Sequence, residues 1–354
     1  ENGIESVETD LGEYIVQLAK EAPYHIIAPA IHKSSKEVSN LFEEKLGTSG
    51  NLGIEDLTKV AREKLRQKFI SADMGITGGN FMVADTGTLV LVTNEGNGRM
   101  CTSMPRIHVA IVGMEKVIPS IGDLGTFLRL LIRSATGQWI SSYVTTVSGP
   151  RGTDDIDGPE EFHLVIVDNG RSKMLANSKL REALYCLRCG ACLNACPVYR
   201  KVGGHSYGWV YPGPIGAIVS PVITGLSKGK DLPFASTLCG ACKEACPVKI
   251  DIPRMLLYLR SEISEGGKNT DRKAIRFLEP LTSYIASSIL SNRFSSAMSV
   301  RILGILSKLF PKKGFPFPRG WTKHRSPPDI PNRNFVETWA ESLSDESTKL
   351  GGFK

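Results

Sequence analysis

Short apolar runs alternate with amphipathic stretches over the first 172 residues. Residues 26–28, 88–93, 108–113 and 162–167 are rich in Ile, Val, Leu and Phe, and are predicted as strands. Between them, apolar positions recur at helical spacing over 34–46, 57–72 and 124–134. Gly75, Gly78, Gly79, Gly87, Gly96 and Gly98 punctuate the turns. Strands alternating with helices predict an α/β domain, built on a largely parallel sheet with helices on both faces.

The pattern changes near residue 175. Residues 179–185 read as a helix, and 203–216 as a loop rich in glycine and proline. Residues 218–226 read as a helix broken at Pro221. Asp251-Ile252-Pro253 has the chemistry of an N-terminal cap for a helix over 254–264. This stretch is mostly helical. Further on, Ile285, Ile289, Phe294, Met298, Ile302, Ile305 and Leu309 recur at helical spacing, interrupted by Arg293, Arg301 and Lys308. Such a stripe packs on its own domain or on a partner, with a peripheral membrane contact through 283–325 as the alternative. From Pro311 the chain is expected to be extended, with a short helix near 334–343. The division is therefore 1–175, 180–265 and 266–354.

A chain of 354 residues with 41% hydrophobic residues is long enough for two or three cores. No apolar stretch of ~18 residues is free of charge, so no membrane-spanning helix is indicated. The chain begins at Glu1 rather than methionine, as a fragment or processed product does, so the lack of a visible signal peptide says little. Net charge is +7. Seven basic residues and no acidic one lie between Arg301 and Arg325. No nucleic-acid module surrounds them; the choice is an acidic partner, an anionic surface or a solvated face.

The cysteines change the picture most. Cys186-x2-Cys189-x2-Cys192-x3-Cys196-Pro197 is followed fifty residues later by Ser236-x2-Cys239-x2-Cys242-x3-Cys246-Pro247. This is the ligand spacing of a protein with two iron–sulfur clusters, in which the fourth cysteine of each run serves the other cluster. Crossing the repeats assigns Cys186, Cys189, Cys192 and Cys246 to cluster one. Cys196, Cys239 and Cys242 fall to cluster two, which is left one cysteine short. The expected cofactors are one 4Fe-4S cluster and a second that is 4Fe-4S or 3Fe-4S. Three outcomes stay open at the short corner: a three-iron cluster, Ser236 as an oxygen ligand, or a fourth iron holding water, substrate or a partner group. Unequal potentials follow in each case. Gly190 and Gly240 let the backbone turn close to a cluster. Zinc sites usually show separated pairs and match poorly. A disulfide scaffold has no rationale in this spacing, and iron thiolates argue for a reducing compartment. Cys101 reads as a small buried hydrophobe.

Several segments together resemble the lactate-utilisation protein B family. They include residues 8–17, Pro29-Ala30-Ile31-His32-Lys33, residues 94–101, Phe162-His163-Leu164, Asp168-Asn169-Gly170-Arg171, residues 203–208, residues 211–217 and both cysteine runs. The resemblance covers almost the whole chain. It implies an N-terminal LUD domain, similar to the NagB/RpiA sugar-isomerase and CoA-transferase-like α/β fold. It implies next an all-α helical ferredoxin domain, similar to that of the succinate dehydrogenase iron–sulfur subunit. The implied role is the iron–sulfur electron-transfer subunit of a multi-subunit L-lactate dehydrogenase oxidising lactate to pyruvate. The other subunits of that system would be its partners, and it would lie in the cytoplasm or at the inner face of the membrane. Family members usually carry about a hundred residues before the point where this chain starts, which implies a truncated or divergent member. The three-cysteine second run fits the family.

Where the hydroxy acid would be oxidised is not legible. Gly96-x-Gly98 stops at Cys101 where a third glycine would complete a dinucleotide fingerprint. His32, Lys33, Glu95 and Arg99 are the candidate catalytic residues, with Glu13 and Asn97 beside them. Arg99 suits a substrate carboxylate and His32 a base. The plainer reading is that Glu95 and Arg99 brace a glycine turn and that His32 packs. His205, between the cysteine runs, is a candidate for tuning a cluster potential. Two other functions compete: a catalytic subunit using the open corner of cluster two on a hydroxy acid, and a non-redox binding module with structural clusters.

Overall fold

The computed structural model describes residues 3–265, 278–309, 335 and 338–342. The chain divides into two compact units, Glu1–Ala274 and Ile275–Lys354.

The first unit opens with three helices, Leu11–Ala19, Ser35–Leu46 and Ile54–Ser71. Asp10 caps the first helix, and Ser34 with Glu37 forms a capping box on the second, satisfying amides that have no helical partner. Their apolar faces close around Phe42, Ile15, Val38 and Leu57.

Seven strands follow: β1 (Met74–Gly78), β2 (Phe81–Val83), β3 (Thr88–Thr93), β4 (Ile107–Gly113), β5 (Val117–Ile118), β6 (Tyr143–Val147) and β7 (Glu161–Val167). They do not make one largely parallel sheet covered by helices on both faces. β1, β4 and β7 form a three-stranded parallel sheet, while β5, β2, β3 and β6 form a second sheet in which β2, β3 and β6 run antiparallel. The reason lies at Gly79-Asn80. The Gly79 amide donates to Ile111 of β4 and the next amide, Asn80, to Val90 of β3, so the chain changes sheets within one residue and needs no crossover helix. The tight β2–β3 connection ends at Gly87, whose φ of 64° an L side chain resists. The two sheets pack face to face, Leu89 and Leu91 against Ala110 and Val112. On the other face of the parallel sheet Ile76, Ile111 and Val165 are exposed. The helix Ile121–Thr136 covers the second sheet, with Leu124 and Leu131 against Phe81 and Val90.

Residues 26–28 are not a strand either. They form an irregular turn, held by the His25 ring nitrogen accepting from the Ile27 and Ala28 amides. Their apolar side chains are spent elsewhere, for Ile26 covers a cavity lined by cysteines.

Between residues 181 and 265 the regular elements are all helical, as the pattern predicts. Residues 181–185 form a 3-10 turn rather than an α-helix. The helix Gly213–Thr224 begins earlier than expected and runs through Pro221 without a break. Asp251 accepts from the Arg254 amide at the start of Ile252–Glu265, the predicted cap.

The second unit contains the helices Leu278–Leu290 and Arg293–Leu309. Ile285, Ile289, Phe294, Met298, Ile302 and Ile305 are exposed. The extended tail expected from Pro311 and most of the basic strip lie outside the described residues; residues 338–342 are helical. Among the described residues, no helix is long and apolar enough to cross a membrane.

Candidate iron–sulfur site

The two cysteine runs fold as near copies. Each enters a short helix, Ala191–Ala195 or Ala241–Ala245, through a glycine in left-handed geometry (Gly190 φ 73°, Gly240 φ 85°). The residue before each second-position cysteine is also left-handed, Arg188 at 64° and Leu238 at 57°. Amides point at sulfur in both copies: Tyr199 to Cys196 at 3.5 Å, and Ile250 to Cys246 at 3.4 Å. The Arg188 amide donates to Cys186 Sγ at 3.4 Å, and the Leu238 amide to Ser236 Oγ at 3.1 Å. Ser236 thus holds the turn that a cysteine holds in the first copy.

One cysteine of the second run lies with three of the first. Cys186, Cys189, Cys192 and Cys246 line one cavity, three from the first run and one from the second. Its other walls are apolar, including Ile26, Ile215, Val248 and Ile250. Four thiols with no oxygen donor suit a soft, cationic iron centre. Burial, with neighbouring thiolates, pushes the Cys189 and Cys192 thiols up, an arrangement that a bound cation relieves. In the other group, burial and the nearby Cys196 and Cys239 push Cys242 up to about 11. Cys239 is exposed, whereas Cys196 and Cys242 are buried. Cys101, outside both groups, is buried and meets the Thr9 hydroxyl at 3.6 Å.

The remaining candidates fall in two places. His32 and Lys33 both contact Glu21, each at 2.7 Å, and Lys33 first, then His32, hold that carboxyl below its ordinary range. His205 packs edge-on against His32, with ring centroids 4.8 Å apart. The His205 Nε2–H donates to the Ala22 carbonyl at 2.8 Å, so this hydrogen bond goes to backbone rather than to a sulfur. Glu95 accepts from the Leu11 amide at 3.4 Å; burial and then Asp10 push its carboxyl up. Glu13 is pushed up to about 7 by burial, then by Glu8 and Asp10. Arg99 is exposed on the helix Asn97–Ser103. Among the described residues, no hydrogen bond or ion pair joins Glu95 to Arg99, or either one to His32 or Lys33.

One charged group was missed by the sequence reading. Glu115, with a side chain 3% exposed, pairs with Arg171 Nε and lies 3.4 Å from Arg188 Nη2. Burial alone would raise its pKa; its own backbone amide and the two guanidiniums outweigh this and hold it low. Lys116 Nζ donates to the Cys186 carbonyl at 2.8 Å, and burial, then Arg188, hold its pKa near about 8. The available signal was Arg188 itself, which stands where the second repeat has Leu238.

Two known families match parts of this chain. Residues 1–167 match the LUD domain and residues 182–250 the 4Fe-4S dicluster domain. The two domains in one chain define a LUD protein that carries a 4Fe-4S dicluster domain. Lactate utilization protein B of Bacillus cytotoxicus is 47% identical over 351 residues, covering 96% of this chain and 71% of that protein. Lactate utilization protein B of Macrococcus caseolyticus is 53% identical over 264 residues, 74% of this chain and 55% of that protein. An uncharacterized electron transport protein of Escherichia coli, YkgF, is 49% identical over 276 residues, 77% and 58% of the two chains. The chain belongs to the lactate utilization protein B family. It spans 55% to 71% of the length of these relatives. A solved structure of a DUF162 family protein from Deinococcus radiodurans covers 28% of this chain and 57% of its own, at 19% identity and a TM-score of 0.23, a likeness too slight to bear on the fold.

Proposed function

We propose that this chain is the iron–sulfur electron-transfer subunit of a multi-subunit L-lactate dehydrogenase. Cys186, Cys189, Cys192 and Cys246 would hold a 4Fe-4S cluster, and Cys196, Cys239 and Cys242 a second cluster of 4Fe-4S or 3Fe-4S type. The reading is carried by one observation: Cys246, from the second run, lines the same cavity as the three cysteines of the first. The family membership supports the substrate. Two clusters supply single-electron transfer in sequence, which lets a two-electron oxidation feed a one-electron chain. The residues around them do the rest. Ile26, Leu187 and Val248 exclude water from the first site, while Cys239 stays exposed at the second. The Arg188 and Ile250 amides donate to sulfur and favour the reduced, more negative state.

The test is an anaerobic redox titration followed by EPR, on the full chain and on Cys246→Ser and Cys196→Ser. Two reducible signals with different midpoints are expected. Cys246→Ser should disturb the four-cysteine cluster, and Cys196→Ser the other. Clusters locked in one oxidation state would defeat the electron-transfer reading, and identical damage from both substitutions would defeat the crossed assignment.

A further inference from the structure

β1, β4 and β7 are parallel, so their carboxyl ends lie along one edge of their sheet. Gly78, Gly113 and Val167, the last residues of the three strands, line a cleft of about 570 Å³. The carboxyl edge of a parallel sheet is where α/β proteins bind ligands, and the volume is that of a small-molecule site. The far wall comes from the cluster domain, through Leu187, Arg188, Trp209, Tyr211 and Ser220. Leu187 also lines the four-cysteine cavity, so the two spaces share a wall residue.

The charge in this cleft is unbalanced. Its charged lining residues are Lys116, Arg171 and Arg188 against Glu115 alone. Both guanidiniums are already turned toward that carboxylate, yet Arg188 Nη1 is buried and has no hydrogen-bond partner among the described residues. A buried donor left unmade costs about 1–3 kcal/mol, and more when charged. The guanidinium is also fixed in orientation, stacked over the Tyr211 ring with its carbon 4.4 Å from the centroid. The cluster loop does not need an arginine for its own geometry, since Leu238 takes the same left-handed turn in the second repeat.

We propose that this cleft binds a small organic carboxylate, with Arg188 and Arg171 as its cationic wall, beside the four-cysteine cluster. The identity of the acid as a 2-hydroxy or 2-oxo acid rests on the function proposed above; the site itself rests on the cleft. Gly78 supplies an independent handle. A Cβ built there meets nothing within 4 Å and its φ is ordinary, so a side chain at 78 enters open space without straining the strand.

The experiment is anaerobic calorimetry on the cluster-loaded full chain, using L-lactate and pyruvate as probes and inorganic phosphate as the control anion. Saturable binding of a carboxylate is expected in the native chain. Arg188→Leu, which copies the second repeat, should weaken it about 10- to 100-fold, the worth of a charge-assisted hydrogen bond. Gly78→Leu should abolish it while iron content and EPR signals stay native. If Arg188→Leu loses its clusters, Gly78→Leu decides the question alone. No saturable binding in the native chain, binding unchanged by Gly78→Leu, or phosphate bound as tightly as the carboxylates would overturn the proposal. So would an Arg188→Leu chain whose cluster potential moves while its carboxylate affinity does not, since the arginine would then only balance cluster charge. Redox titration of the same samples separates the two readings. Carboxylate binding beside redox-inert clusters would uphold the site and sink the electron carrier, and cycling clusters without binding would do the reverse.

Discussion

Glu115→Gln isolates the central ion pair of the first unit. The substitution keeps shape and removes one charge. In the native chain the carboxylate is almost fully buried and faces two guanidiniums whose side chains are 10% and 19% exposed. Removing the acid leaves both cations without a counter-charge, and breaking a buried pair from one side costs about 3–5 kcal/mol. Partial exposure of the arginines and the amide oxygen left to accept from Arg171 both reduce this, so about 2 kcal/mol is expected. The damage should be local in origin, because Glu115 stands in the short connection after β4, Arg171 follows β7 and Arg188 belongs to the first cysteine loop. Urea unfolding of the cluster-loaded chain under anaerobic conditions reads the change in midpoint. Hydrogen exchange should show the loss concentrated at the carboxyl ends of β4 and β7 and at residues 186–189. Millimolar carboxylate should return part of the lost stability by supplying the missing negative charge. A midpoint within experimental error of the native one would refute the argument, since it would mean that the two guanidiniums are solvated without Glu115.

Two further outcomes follow from single side chains. His108, on β4, is fully buried with Thr77 of β1 at 2.8 Å, and burial lowers its pKa to about 4. Above about pH 6.5 the ring is neutral folded and unfolded; as pH falls toward 4 the unfolded chain takes up the proton first, so stability drops by up to about 3 kcal/mol over that window. His108→Gln should flatten that slope in unfolding measurements between pH 7 and 4, and an unaltered slope would assign the acid loss to other groups. A Cβ at Gly204 would overlap the Tyr24 carbonyl oxygen, which is backbone and cannot swing away. Gly204→Ala should therefore cost about 1–3 kcal/mol, while Gly78→Ala should be close to neutral; equal midpoints for the two would remove the close-approach argument.

That Cys186, Cys189, Cys192 and Cys246 meet around one cavity was legible because the information is covalent spacing. A two-residue step around a left-handed glycine places successive sulfurs on one side of a turn, whatever the rest of the chain does. Helices with strong period and caps, such as Ser35–Leu46, were legible for a similar local reason. The sheet arrangement was not. Nothing in the composition of residues 74–83 distinguishes a strand that pairs with β4 from one that pairs with β3, and the decision is made by two amides, Gly79 and Asn80, donating to different strands. Residues 26–28 have strand composition, but Ile26 is needed over the cysteine cavity. Glu115, Lys116, Arg171 and Arg188 carry no motif that joins them to one another. They meet only when β4, β7 and the cysteine loop are folded together.

That last group bears on why the two domains share a chain. The repeats are near copies in backbone, down to matching left-handed residues, and differ at two positions that matter: Cys186 against Ser236, and Arg188 against Leu238. The second of these differences gives the first loop a side-chain tie to the LUD domain, and the first loop's backbone adds another. Cys186 offers its carbonyl to Lys116, and Arg188 reaches Glu115. Ile26 closes the same loop from the other side. The second loop has the exposed Cys239 and no cation between its first two positions. A symmetric pair of loops has thus been made directional by side chains alone, one loop built into the α/β domain and the other presented at the surface.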